Sequence, residues 1–390
     1  MPEPPVKPIQ LFVPTFDVEA CLSEIRECLE IGWTGLGFKT TQFEQGWRTY
    51  TGLPNAHFVN SNTAGLHLAV KILKDACGWA DGDEIISTTL TFVSTNHVIL
   101  YERLRPVFAD VDDSLCLDPD SIAARVTPRT RAVMYVGFGG TAGRLAEVSE
   151  LCRRLGLKLI LDAAHMSGTR VRDKHVGHEA EVAVFSFQAV KNLPTADSGM
   201  ICFRDSELDQ VARKMSWLGI DADTYARSSG ENKGKYKWLY EVDHVGLKAH
   251  GNSIVAAIAI AQLKHLDSDN DQRRALAALY RSRLKDVPGI GFVSNPPDCT
   301  TSQHLFQIRV SQALRDSLIV HLNSRGIFPG VHYKSNLEFK MYREARGTCP
   351  RAEKASLELV SLPLHLRLTP GDVERVGGEI EAYLGQSRVG

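Results

Sequence analysis

The chain has 390 residues, 43% hydrophobic and 23% charged, with a formal net charge of −1. That is material for a large core and, since single cores stop growing near roughly 250–300 residues, for two domains. No basic run stands out from this near-neutral balance, so there is no long-range field for polyanions and nucleic acid is excluded as a partner class.

The N-terminus, Met1-Pro2-Glu3-Pro4-Pro5, has prolines and an acid where a signal peptide needs an apolar stretch. No later segment approaches the roughly 18 apolar residues of a membrane span, so a cytoplasmic protein is expected. The eight cysteines show no two-residue spacing suited to zinc or redox chemistry; they read as buried thiols, and no metal is expected. Short apolar runs follow at 57–61, 84–89, 106–111, 132–138, 158–162, 182–187 and 199–203. Helical periodicity separates several of them, at 64–76 (Leu66, Leu68, Val70, Ile72, Leu73) and 144–155 (Leu145, Val148, Leu151, Cys152, Leu155). This alternation predicts an α/β fold with a mostly parallel seven-stranded sheet between helices. Ligands of such sheets bind at the carboxyl edge, where Ser61, Thr89, Asp162 and Ser186 would emerge.

Past about residue 206 the character changes. Residues 225–240 are polar and read as a loop. An apolar, small-residue helix is predicted over 254–267 and an amphipathic one over 271–284. A strand near 305–310 and helices near 313–324 and 369–384 suggest a smaller α+β C-terminal domain. The expected division is 1–250 for a large cofactor-binding domain, with residues 1–30 included, and 251–390 for the small one.

Lys191 sits just past the run at 182–187, and Asp162 ends the run at 158–162. A lysine and a carboxylate at the ends of two strands are what pyridoxal 5′-phosphate needs: an amine for its aldehyde and an anion to keep its ring nitrogen protonated. The turn Asn60-Ser61-Asn62-Thr63-Ala64-Gly65 opens a helix; it reads either as a phosphate cup or as an ordinary cap by Ser61 or Asn62. Phe92 could face a ring or belong to the core. Ser186, five residues before Lys191, could reach the same phosphate. Asp162 is followed by Ala163-Ala164-His165; Asp162 could instead cap a helix, and His165 could be a partly buried polar residue rather than a partner of the cofactor's ring oxygen. The weight lies in co-location along one sheet edge.

Thr63-Ala64, Thr91-Phe92, Asp162-Ala163-Ala164-His165 and Phe185-Ser186-Phe187-Gln188-Ala189-Val190-Lys191-Asn192 resemble the fingerprint of the DegT/StrS nucleotide-sugar aminotransferases of fold type I. The likeness runs from Gly32-Trp33-Thr34-Gly35 through Ala256-Ala257-Ile258 and Gln262-Leu263 to Ser361-Leu362-Pro363-Leu364. It is nearest to the branch acting on UDP-4-keto-pentose and related 4-keto sugars, through Trp33-Thr34, Thr63-Ala64-Gly65 and Val93-Ser94-Thr95. The resemblance implies that Lys191 holds the cofactor, Asp162 pairs with its ring nitrogen, Phe92 stacks on the ring, Thr63, Ala64 and Ser186 hold the phosphate, and His165 approaches the ring hydroxyl. It also implies a nucleotide-linked keto sugar held by Trp33, Thr34, His332 and Tyr333, glutamate as amino donor, and a homodimer whose sites are completed across subunits. The pattern departs at Ala196-Asp197-Ser198-Gly199, at Gly137-Phe138-Gly139-Gly140, and at His250, where the family has a cross-subunit asparagine that reaches the phosphate. A 3-dehydratase on the same fold carries a histidine in place of the lysine, so Lys191 argues against it. A non-catalytic cofactor-binding relative draws support only from the departures.

Overall fold

The computed structural model describes residues 7–221 and 240–386. The loop expected over 225–240 lies outside the described residues except for Tyr240. The first strands are β1 (His57–Val59), β2 (Glu84–Ser87), β3 (Arg105–Phe108), β4 (Thr130–Val136), β5 (Lys158–Asp162), β6 (Arg170–Val171), β7 (Lys174–His175), β8 (Val182–Ser186) and β9 (Gly199–Phe203). All but β6 and β7 form one seven-stranded sheet in the order β1-β9-β8-β5-β4-β2-β3. β9 is antiparallel to both neighbours, and the other pairings, β8 through β3, are parallel. The expected mostly parallel sheet is therefore present.

The strands are unbroken apolar runs because helices cover both faces. β5, β8 and β9 are buried along almost their whole length. On one face, α3 (Asn62–Cys77) and α7 (Ser206–Met215) pack Leu66, Leu73 and Met215 against Ile160, Val184 and Ile201. On the other, α2 (Phe38–Thr51), α6 (Leu145–Leu155) and the apolar helix α8 (Ser253–Leu263) bring Phe43, Trp47, Val148, Leu151 and Ala256 against Leu161, Phe185 and Met200. The remaining helices of this half are α1 (Val18–Ile31), α4 (Ser94–Tyr101) and α5 (Pro119–Arg125).

α3 lies unusually close to the sheet because Gly65 has no side chain: a Cβ there would sit 2.6 Å from Val184 Cγ1. Gly65→Ala is expected to lift the helix and lower stability by about 1–3 kcal/mol, the usual cost of overpacking. Urea unfolding checks this, and an unchanged midpoint would contradict it.

The predicted helices over 254–267 and 271–284 are divided differently in the structure. α8 ends at Leu263, and α9 (Leu266–Leu284) begins at Leu266, after a break at Lys264 and His265. Its acidic first turn, with Asp267 and Asp269, suits a helix N-terminus. The early start escaped the apolar periodicity because two of its buried positions, Asn270 and Arg273, are polar. Beyond it, β10 (Gly291–Phe292), β12 (Phe306–Arg309) and β13 (Leu359–Leu362) make an antiparallel sheet, while β11 (Cys299–Thr300) joins β6 and β7. α10 (Gln312–Ser324) and α12 (Pro370–Gln386) close a separate core around Tyr280, Phe306, Ile308, Leu322, Val360 and Ile380. α11 (Pro350–Glu358) instead returns to the large-sheet core through Ala352 and Ala355. Among the described residues, no helix is long and apolar enough to cross a membrane.

Candidate active site

A cavity of about 470 Å³ opens at the carboxyl edge of the large sheet. Asp162, at the end of β5, and Lys191, on the turn after β8, both line it. The turn is pinned by Lys191 N donating to Gln188 O (2.8 Å) and by two bonds that tie it to the following segment, Phe187 N to Ser198 O and Ala189 N to Ala196 O. Burial pushes the Lys191 amine down to about 8, and the Asp162 charge opposes that shift. Much more of this amine is therefore in its nucleophilic form near neutrality than for an exposed lysine.

Asp162 is only 4% exposed. Its Oδ2 accepts from Thr95 Oγ1 (2.8 Å), and its Oδ1 accepts from Ala164 N (3.2 Å) and Asn62 Nδ2 (3.4 Å). Burial raises its pKa; Thr95, the Ala164 amide, Lys191 and Asn62 pull it back. Thr95 is itself bonded to Thr91 Oγ1 (2.9 Å), so α4 and the turn before it deliver a hydroxyl pair that fixes the carboxylate's orientation. The sequence reading missed Asn62 and Thr95 as supports of Asp162. Nothing in the chain order links residues 62, 95 and 162 until the parallel sheet brings their strand ends together.

Ser61, Asn62 and Thr63 line the cavity at the start of α3. Ser61 Oγ accepts from Ala64 N (3.1 Å), so the ordinary cap is real, and it coexists with a cavity-facing helix N-terminus whose first amides have no acceptor within the helix. Ser186 lines the same cavity; Ala64 does not. Phe92 lies at its mouth, 60% exposed, with its ring 6.3 Å from that of Tyr333.

The opposite wall is aromatic. His165 Nδ1 accepts from Gly139 N (3.2 Å), and burial holds its pKa well below the usual value, so the proton of the neutral ring is on Nε2. That N–H faces Tyr333 Oη at 3.0 Å, which leaves the Tyr333 hydroxyl proton directed away from His165. His332 Nδ1 meets Ser361 Oγ at 2.9 Å, and burial lowers its pKa to about 4. His304 and Phe12 complete the wall, with ring centroids 5.7 Å apart, and His304 Nδ1 donates to Asn192 Oδ1 (2.9 Å). Neither His304 nor Phe12 was found from the sequence, where each stands beside a short apolar run like any core residue.

Trp33, Thr34 and His250 do not line this chain's cavity. Trp33 Nε1 donates to Leu36 O (2.7 Å), and Thr34 O accepts from Ser253 N (3.1 Å), both in the loop that precedes α2. His250 Nδ1 donates to Gly251 O (2.6 Å) beside the edge strand β1, with the Trp217 ring 4.7 Å from its own. Of the departing segments, Asp197 and Ser198 line the cavity, and Gly139 touches the site through His165. An amine, a fixed carboxylate, helix N-terminal amides with hydroxyls, and an aromatic mouth are the complete donor set for a phosphorylated aldehyde with a cationic ring.

Residues 17–381 match the model of the DegT/DnrJ/EryC1/StrS aminotransferase family. Among solved structures, the chain is similar to the aminotransferase TlmJ from Streptoalloteichus hindustanus, with 34% identity and a TM-score of 0.89 over 98% of this chain and 100% of that one. It is similar also to DesV of S. venezuelae, solved with a ketimine intermediate (30% identity, TM-score 0.84, 96% and 98% covered). A third is DesI, solved in the presence of its TDP-sugar product (25% identity, TM-score 0.86, 98% and 94% covered).

Proposed function

Because the chain belongs to the DegT/DnrJ/EryC1/StrS aminotransferase family, we propose that it moves an amino group from glutamate to the keto carbon of a nucleotide-linked 4-keto-6-deoxy sugar or 4-keto-pentose. It is a pyridoxal-phosphate-dependent aminotransferase. When bound, the cofactor supplies an aldehyde that carries nitrogen from donor to acceptor and a protonated ring that takes up electrons. The observation that carries the reading is the pairing of Lys191 and Asp162 on one cavity.

Lys191 Nζ would anchor the aldehyde and, when free, would serve as the base that moves the proton of the donor's α-carbon. A pKa of about 8 suits both duties, since the amine must be free to attack and basic enough to accept. Asp162, held by Thr95, Asn62 and the Ala164 amide, keeps the ring nitrogen protonated. Thr63, Ser61 and Ser186 would hold the phosphate at the α3 N-terminus, with Ala64 at the same turn, and Phe92 would face the ring. His165 serves the ring oxygen and Tyr333 through its Nε2–H, while His332 and Tyr333 border the sugar. Trp33, Thr34 and His250 lie away from this chain's own cavity, which suits a homodimer in which each subunit completes the other's site. The TDP-sugar product seen with DesI supports a nucleotide-linked substrate.

Incubation with a nucleotide-linked 4-keto sugar and glutamate is expected to release 2-oxoglutarate in step with an amino sugar. Loss of a sugar hydroxyl without nitrogen transfer would turn the reading toward the dehydratase.

A further inference from the structure

Arg273 occupies an inward position of α9, one helical turn after Asn270, and is 8% exposed. Among the described residues, its fully buried Nη1 has no hydrogen-bond partner. Asp269, one turn earlier, is the acid that acts on it, but burial dominates and lowers the guanidinium to about 10. A guanidinium stays charged at working pH, and burying one whose Nη1 has no hydrogen-bond partner is strongly unfavourable. A residue in that condition is explained by something it receives.

Arg273 borders a cleft that shares Phe12, Val190, Lys191 and His304 with the large cavity. Among the described residues, no acidic side chain lines this cleft. His304, held neutral by burial, adds no competing charge. The free volume is about 10 Å³, roughly the space of one oxygen-sized group. A carboxylate reaching in from the large cavity can present one oxygen there.

We propose that Arg273 anchors a carboxylate of the amino-acid donor, received in this cleft beside Lys191; the inference rests on the amino-acid donor named above. The donor's nitrogen then faces the end of the cavity where Lys191 stands, and the sugar keeps the side bordered by His332 and Tyr333. Both half-reactions thus use one cavity with separate anchors.

The test titrates the holoenzyme with glutamate, following the cofactor's absorption, in the wild type, R273K and R273M. Half-conversion in R273M is expected to need about 30-fold more glutamate, the scale of one charge-assisted contact, with R273K in between. Glutarate, which has both carboxylates and no amine, is expected to raise the melting temperature of the wild-type holoenzyme and not that of R273M. Without added ligand, R273M should melt no lower than the wild type, since it loses a buried charge whose Nη1 has no hydrogen-bond partner. Equal glutamate requirements would overturn the anchor and leave the donor reading intact. Wild type that ignores glutamate yet binds glutarate through Arg273 would sink the donor reading and keep the anion site. R273M melting several degrees lower would assign Arg273 to packing and overturn the proposal.

Discussion

Lys191→Ala is expected to abolish both transamination and the absorption near the visible edge that arises when the cofactor is joined to the protein. The loss in rate should reach about 10⁴-fold or more, because one side chain supplies the anchor and the proton shuttle. Absorption spectra of the reconstituted variant check the first part and an amino-transfer assay the second; full activity in the variant would refute the assignment. The wild type adds a pH signature. With the amine at about 8 in the folded chain, uptake of the aldehyde by cofactor-free protein should rise about tenfold per pH unit below 8 and level off above it. A rate still climbing past pH 10 would mean an ordinary, solvated lysine. Linkage gives a companion effect: between about 8 and the ordinary lysine value near 10.4, the unfolded chain binds the proton that the folded one has lost. The contribution of Lys191 to stability therefore improves as pH rises through that window, and it is constant below it.

Asp162→Asn is expected to lower kcat/KM by about 10²–10⁴-fold while leaving the cofactor-free protein at least as stable. Removing one member of a buried charge pair costs roughly 3–5 kcal/mol, and that energy is felt when the cationic ring is present. In the empty cavity, the carboxylate is desolvated and its pKa is raised. The neutral amide avoids the cost of burying a carboxylate at that position. Steady-state kinetics beside thermal melts of the cofactor-free proteins separate the two effects. A variant that is equally active would show that the carboxylate has no ring to stabilise, and one that is grossly destabilised would make Asp162 a structural residue. Thr95→Val should repeat the kinetic loss at about tenfold, since it removes one of three hydrogen bonds to the same group.

The chain alone revealed the strands because the sheet is covered on both faces, which forces continuous apolar runs such as Leu159-Ile160-Leu161 and Val182-Ala183-Val184-Phe185. Helices α3 and α6 were legible from their periodicity, and α9 in all but its first five residues, where the buried Asn270 occupies an inward position at which the pattern demands an apolar residue. Lys191, Asp162, Ser186, Thr63 and Phe92 could be grouped because a parallel sheet sends every strand's carboxyl end to one edge. Ala64 was grouped with them through the family resemblance, but a helix turns about 100° per residue, and that rotation takes it off the cavity that Thr63 lines.

Sequence by itself determined the sheet and the common edge on which the Lys191 amine and the Asp162 carboxylate stand, since these follow from local periodicity and strand polarity. Tertiary structure alone decided the rest: Thr95 and Asn62 clamping Asp162, the wall of His165, His304, His332 and Tyr333, and the buried, unpartnered Nη1 of Arg273. Those groups come from segments separated by tens to hundreds of residues. Their contacts, their burial and hence their protonation are set by how the two cores close over the cavity, a long-range outcome that no window along the chain records.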